Sequence, residues 1–385
     1  MKPSQLLAET IELHQALVRC PSLSGQEAAC ADRVEEYLRA GRFENVWRDR
    51  FGSVIGVRHG SQPGPVILFD AHMDVVPIGD AAAWQHDPFG AELNGGRIWG
   101  RGATDTKASL AAILTAVNHL QADEFRGSLV VVGSVGEEAI EGSGLEEALE
   151  AHQPDFVVIG EPTDCRIGIG QKGRARLHFT AGGRSAHSST PEAGENALLK
   201  AAEMLRRMEH LPLPEMEWLG KGVLAALQIS SRPFPSASTI PYTCSFDCDR
   251  RLIAGETAEA ILAEYAQAFQ DIPNCQVALD EVSYTTYTGH TFVTPDFHAG
   301  WLTDPDSHWV KTAQQSLKNA GLKSEIYAVP YCTNGSTCAQ RNIPQLIFGP
   351  STIHLAHVVD EYIEVDELER GLLGFMNLAK DLGRI

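Results

Sequence analysis

The chain has 385 residues, enough for two domains with separate cores. Its 43% hydrophobic and 21% charged residues describe a soluble globular protein and exclude a disordered one. The formal net charge of -19 argues against nucleic acid or an anionic membrane as a partner, because like charges repel.

Met1 to Gln5 runs straight into an amphipathic pattern containing Glu9, Glu12 and His14, so no signal peptide is expected. No stretch reaches the roughly 18 apolar residues that a membrane span requires. Eight cysteines are scattered without CxxC pairs and are expected to be reduced thiols, with the cytoplasm as the expected compartment.

Leu6, Leu13 and Leu17 form one helical stripe beside Leu7, Ile11 and Val18, which predicts an opening helix with a broad apolar face. Residues 26–38 predict a second helix. Residues 52–57 and 65–70 are strand-like, the second a continuous apolar run that ends at Ala71-His72-Met73-Asp74. Residues 105–120 have helical spacing, while 128–135 and 156–159 are short β-branched runs suited to buried parallel strands. From about Gln171 the pattern changes: 172–181 and 242–252 alternate polar and apolar residues, and 194–208 and 257–269 read as helices. This predicts a separate open sheet covered by helices on one face. After roughly Tyr287 the chain is expected to rejoin the first domain, through a helix at 309–320, a strand at 345–348 and a last helix at 365–382.

Five clusters carry chemistry. His72 and Asp74 project to one side if strand geometry continues through them, and the carboxylate is then placed to accept the second ring N–H of His72. Alone, such a pair reads as a buried histidine capped by an acid. Gly100-Arg101-Gly102-Ala103-Thr104-Asp105 is a glycine-rich turn delivering Asp105 to a helix start, where an aspartate is ordinarily an N-terminal cap, though a carboxylate can also bridge two cations. Glu137-Glu138 and Glu161 each follow an apolar strand. His357 lies in a loop with His354 nearby, and spacing does not choose between them. Most of these clusters fall at strand ends, where open α/β sheets bind ligands.

In combination the set resembles the di-zinc amidohydrolases typified by acetylornithine deacetylase, succinyl-diaminopimelate desuccinylase, aminoacylase and carboxypeptidase G. The match runs from the opening helices to Asp360-Glu361-Tyr362-Ile363. The resemblance implies a mixed-sheet α/β catalytic domain, residues 1–175 and 290–385, with an inserted α+β, ferredoxin-like dimerisation or lid domain at 176–289. It implies two divalent ions, zinc above all, with cobalt or manganese as alternatives. His72 and Glu161 would hold one ion, Glu138 and His357 the other, with Asp105 bridging. Glu137 matches the general base and Asp74 the histidine-orienting acid, and the family's Ala-His followed by Glu-Tyr selects His357 over His354. His187 in Gly183-Arg184-Ser185-Ala186-His187-Ser188 matches the histidine that stabilises the oxyanion across family homodimers. Arg251, rather than Arg250, matches the substrate-carboxylate arginine.

The implied reaction is hydrolysis of an amide next to a carboxylate, as in an N-acyl amino acid, by a metal-bridging water with Glu137 as base. A dipeptidase or carboxypeptidase of the same family is the alternative, and a non-catalytic binding protein on the same scaffold is a further one. A two-metal phosphoesterase is disfavoured because no basic cluster adjoins the ligands. Two departures from the family pattern, Ser238 before Thr239-Ile240-Pro241 and the loop Cys332 to Thr337, are expected to touch substrate recognition more than metal chemistry.

Overall fold

The computed structural model describes residues 2–385. The chain divides into two compact units: residues up to Gln171 with Ser283–Phe292 and Leu302–Ile385 form one, and Lys172–Val282 with Val293–Trp301 form the other.

The first unit is built on a mixed sheet in the order 45–48, 54–59, 128–134, 66–72, 156–159, 345–347, 167–171. Strands Ser128–Ser134, Val66–His72, Phe156–Ile159 and Gln345–Ile347 run parallel to one another, and the strands next to them on either side, Val54–His59 and Ile167–Gln171, are antiparallel to them. The central strands are apolar runs such as Leu129-Val130-Val131-Val132, buried throughout, as strands covered on both faces must be. The helix Lys107–His119 packs between the opening helix Pro3–Val18 and the closing helix Val365–Leu382, and every residue from Lys107 to Asn118 is buried. It is apolar nearly all round because no face of it meets water.

The second unit runs strand, helix, strand, strand, helix, strand. Its sheet order is 223–232, 243–252, 173–182, 275–279, antiparallel at each pairing. This is the ferredoxin-like arrangement. Gly173–Gly182 alternates buried and half-buried residues along its whole length, and its buried face, with Leu177 and Phe179, packs with Ala201, Met204, Ile261 and Tyr265 of the two helices.

The chain does not return to the first unit in one crossing near residue 290. The paired strands Glu281–Thr285 and Thr291–Pro295 form a hairpin whose tip, Ser283–Phe292, belongs to the first unit, after which Val293–Trp301 belongs to the second. The reason is packing at the tip: the Tyr287 hydroxyl donates to the Gly52 carbonyl at 2.7 Å, and the Thr288 hydroxyl to that of Arg50 at 2.7 Å. All eight cysteines are free thiols, and among the described residues no helix is long and apolar enough to cross a membrane.

Candidate metal centre

Three adjacent parallel strands deliver the first donors. His72 is the last residue of Val66–His72, Glu137 and Glu138 follow the neighbouring strand on one side, and Glu161 follows the neighbouring strand on the other. Asp105 arrives from the turn before helix Lys107–His119, and His357 from the loop before strand Tyr362–Glu364.

These side chains converge in two groups that share one residue. His72, Asp105 and Glu161 form the first, and Asp105, Glu138 and His357 the second, with the donor atoms of each group within 4.8 Å of one another. The His72 Nε2 lies 3.3 Å from Asp105 Oδ1 and 3.7 Å from Glu161 Oε1. The His357 Nε2 lies 3.2 Å from Asp105 Oδ2 and 2.9 Å from Glu138 Oε1. Asp105 therefore turns one oxygen to each group. The Glu137 carboxylate stands beside the first, its Oε2 3.9 Å from His72 Nε2. His354 belongs to neither group.

Asp105 does not cap the helix that follows it. The N-cap is Thr106, and it makes no side-chain capping bond. The Asp105 carboxylate is committed to the two histidines instead.

Asp74 is also placed differently from the expectation. The His72 Nδ1 is 2.9 Å from the Asp74 backbone carbonyl and 3.5 Å from its carboxylate Oδ1. The carbonyl accepts the ring N–H and so leaves Nε2 facing Asp105 and Glu161. The carboxylate serves the two glutamates: it accepts from the backbone N–H of Glu137 at 3.0 Å and of Glu138 at 3.1 Å, and from the Ser24 hydroxyl at 2.6 Å. It caps the short helix Glu137–Ile140 from the end of the neighbouring strand.

Like charges crowd this site. Burial pushes the Glu137 and Glu161 carboxyls well above their ordinary pKa; His72 opposes this, and neighbouring carboxylates add to it. Burial and the Asp105 charge likewise raise Glu138, although His357 opposes the shift. Burial also works to raise Asp105, but hydrogen bonds from His357 and His72 outweigh it and hold that carboxyl well below its ordinary range. Hydrogen bonds to Asp105 and Glu138 lift His357 to about 10. The donors are all nitrogen and oxygen, with no thiolate, a set suited to zinc, cobalt or manganese.

The model of peptidase family M20/M25/M40 matches residues 68–381. The chain belongs to that family. It is 31% identical over 379 residues to the uncharacterized protein YgeY of Escherichia coli, covering 93% of each. It is 29% identical over 394 residues to the succinyl-diaminopimelate desuccinylase of Cereibacter sphaeroides, covering 97% of this chain and 98% of that one. Among solved structures, aminopeptidase PepT from Bacillus cereus superposes with a TM-score of 0.75 at 18% identity, each chain covered in full. The YXEP protein of Bacillus subtilis, described as a dinuclear metal binding peptidase from the M20 family, gives 0.73 at 15% identity, covering 98% of this chain and 99% of that one. At these identities the structural likenesses establish the fold.

The remaining motif residues lie in the second unit. His187 is exposed, with Nδ1 2.7 Å from the Ser189 hydroxyl. Arg251 is half-buried, with its Nε 3.0 Å from Asp249 Oδ1. Arg250 points to the helix side and is fully occupied, bonding Glu256 at 2.7 Å, Glu264 at 3.1 Å and the Tyr265 hydroxyl at 3.0 Å.

The Cys332–Thr337 loop is not a recognition surface at Asn334. That side chain is buried, donates to Asp70 Oδ2 at 2.8 Å and to the Ser134 hydroxyl at 3.0 Å, and accepts from the Gly142 N–H at 2.6 Å. An amide both donates and accepts, which a carboxylate opposite Asp70 cannot do.

Several residues support the site without having been assigned a role of their own from sequence. Glu361 and Arg101 form a buried pair beneath Asp105, at 2.6 Å. Glu27 accepts from the Gly136 N–H at 3.1 Å and from the Tyr284 hydroxyl at 3.3 Å. Gly136, just before Glu137, has φ +71, a conformation that favours glycine, and a Cβ there would press on the Tyr284 side chain, 3.0 Å from its hydroxyl oxygen.

Proposed function

We propose that the chain is a two-metal amidohydrolase that cleaves an amide next to a carboxylate, with N-acyl amino acids as the substrate class. The observation that carries this reading is the sharing of Asp105: one carboxylate offers a different oxygen to each of two three-donor groups, with a further carboxyl, Glu137, beside them. His72 and Glu161 would hold one divalent ion and Glu138 and His357 the other, bridged by Asp105. The donor set fits such a pair. Cations would relieve the like-charge crowding that otherwise forces protons onto Glu137, Glu138 and Glu161. When bound, the ions supply Lewis acidity toward water and toward the substrate carbonyl.

Glu137 does the proton work. Its buried carboxylate would accept a proton from the attacking water and return it to the leaving amine, a role its place beside the two donor groups allows. Asp74 holds the backbone of Glu137 and Glu138, so base and ligand keep their mutual position. His187 is the candidate for steadying the charge that develops on the carbonyl oxygen. Arg251 is the candidate for the substrate carboxylate, which a guanidinium fork can meet with two hydrogen bonds.

The desuccinylase relative, alike over 97% of this chain, supports an acyl-amino-acid substrate over a dipeptide. The test is a panel of N-acetyl and N-succinyl amino acids beside free dipeptides, assayed before and after chelation and after return of Zn2+, Co2+ or Mn2+. Hydrolysis of the acyl compounds that is lost on chelation and regained with metal is expected. Full activity in exhaustively metal-free protein would overturn the two-metal reading, and preference for dipeptides would move the substrate class to the exopeptidases.

A further inference from the structure

The bridging carboxylate and the exposed histidine of the second donor group both rest on one buried ion pair. Glu361 is completely buried. Its Oε1 accepts from the backbone N–H of Thr104 at 2.8 Å and of Asp105 at 3.0 Å, and its Oε2 accepts from Arg101 Nη1 at 2.6 Å. From the same guanidinium, Nη1 donates to the Val358 carbonyl at 3.1 Å and Nη2 lies 3.5 Å from the His357 carbonyl. The Trp84 ring lies 5.2 Å from the Arg101 guanidinium carbon and covers it.

His357 needs such a hold. It has φ +63, a left-handed conformation unusual for a non-glycine residue, and its side chain is 50% exposed. Backbones of this kind persist where their surroundings over-determine them. Nothing comparable is asked of His72, which is buried at the end of a paired strand with its ring N–H on a carbonyl.

We propose that Arg101 and Glu361 are positioning residues that set the affinity of the second metal position, the one formed by Asp105, Glu138 and His357, and leave the first largely to the sheet. The inference rests on the two-metal reading above. Glu361 fixes the turn from which Asp105 reaches across, and Arg101 ties that turn to the carbonyls on either side of the His357–Val358 bond. One pair therefore keeps two of the three donors of the second group at their mutual distance. Outer hydrogen-bond partners of metal ligands commonly contribute 10–100-fold to affinity.

The test measures metal rather than turnover. Zn2+ binding by calorimetry against a competing chelator, with metal content after dialysis, is compared in wild type, Glu361→Gln, Arg101→Lys, His357→Ala and the Glu361→Gln/His357→Ala double variant. The glutamine sets an N–H group against either Arg101 or the backbone donors, since it has only one acceptor oxygen. Wild type is expected to take two equivalents. Glu361→Gln is expected to bind the first equivalent close to wild-type affinity, since Asp105 is the only one of that group's donors resting on the pair, and the second roughly 10–100-fold more weakly. The double variant should bind no worse than His357→Ala alone, because both changes act on the same position. Arg101→Lys keeps the charge but not the fork, should weaken the second equivalent in the same sense, and carries the test if Glu361→Gln does not fold.

Two equivalents of unchanged affinity in both variants would overturn the proposal. Equal weakening of both positions in a natively folded variant would overturn it as well, by reducing the pair to general support. A wild type that binds no Zn2+ would instead refute the two-metal reading beneath it.

Discussion

Asp74→Asn separates two roles for one residue. If the carboxylate orients His72, the change should cripple the histidine; if it caps Glu137–Ile140, the change should loosen the two glutamates. The geometry favours the second, because the His72 ring N–H already has the Asp74 carbonyl at 2.9 Å, and that carbonyl survives the substitution. Asparagine has the same shape with one acceptor oxygen in place of two. If that oxygen turns to Glu137, the amide NH2 faces the Glu138 N–H, and the reverse orientation strands the Glu137 N–H. The Ser24 hydroxyl can adapt by accepting instead of donating. One buried N–H is left without a partner, costing about 1–3 kcal/mol, and the surviving bond loses its charge assistance, about 1 kcal/mol more. The metal-free protein should therefore lose about 3 kcal/mol against urea unfolding, and the loaded enzyme should turn over roughly 10–100-fold more slowly while the His72 position still takes up Zn2+. Stability within about 0.5 kcal/mol of wild type, or loss of Zn2+ from the His72 position to the extent seen in His72→Ala, would refute the capping argument.

Glu137→Ala should abolish turnover and leave two equivalents of bound metal, since Glu137 belongs to neither donor group; measurable hydrolysis by that variant would remove Glu137 from the role of base. Glu27 gives a pH signature: burial first, then the Asp74 charge, raises its carboxyl from 4.5 to about 7, so the folded state holds a proton the unfolded chain releases. Its contribution is fully present below pH about 4.5 and is lost as pH rises through about 7, a loss on the order of 3 kcal/mol. Glu27→Gln keeps an acceptor for Gly136 and should flatten the stability profile of the metal-free protein across that interval. An unchanged slope by urea titration at stepped pH would show that Glu27 does not carry this dependence.

Long periodic segments were legible because burial and period coincide in them. The closing helix spans Val365–Leu382, as its spacing predicts, and Gly173–Gly182 alternates as an amphipathic strand should. The strand Val223–Arg232 was not foreseen. It is an edge strand with side chains exposed on both faces, so neither alternation nor a continuous apolar run marks it. Ile167–Gln171 escaped for a different reason: Gly168 and Gly170 break the β-branched run, although the sheet buries the whole strand. At the site, residue types and strand ends pointed to the residues that converge in the two donor groups, but the supports depended on contacts between distant segments. Glu361 meets Thr104 across 257 positions and Asn334 meets Asp70 across 264, distances over which no local pattern operates. Asp74 was legible as an acid beside His72, but sequence does not show that the histidine also bonds the Asp74 backbone carbonyl or that the carboxylate accepts from the Glu137 and Glu138 N–H groups.

The electrostatics explain why this sequence tolerates so much buried acid. Asp105, Glu137, Glu138 and Glu161 bring four carboxyls together, with His72 and His357 beside them. Without cations the balance is struck by protons: the histidines hold theirs more tightly than usual, and the three glutamates are pushed toward the neutral form. The protons occupy the place that divalent charge would take. A cation entering this site would have to displace some of them, so metal uptake is expected to release protons and to weaken as pH falls. On the proposed reading, the same displacement would leave Glu137 as a carboxylate able to accept a proton. On the proposed two-metal reading, cation binding and the freeing of Glu137 to act as a base would be coupled, and the supports beneath Asp105 and behind the glutamates would hold the donor groups in place against their mutual repulsion.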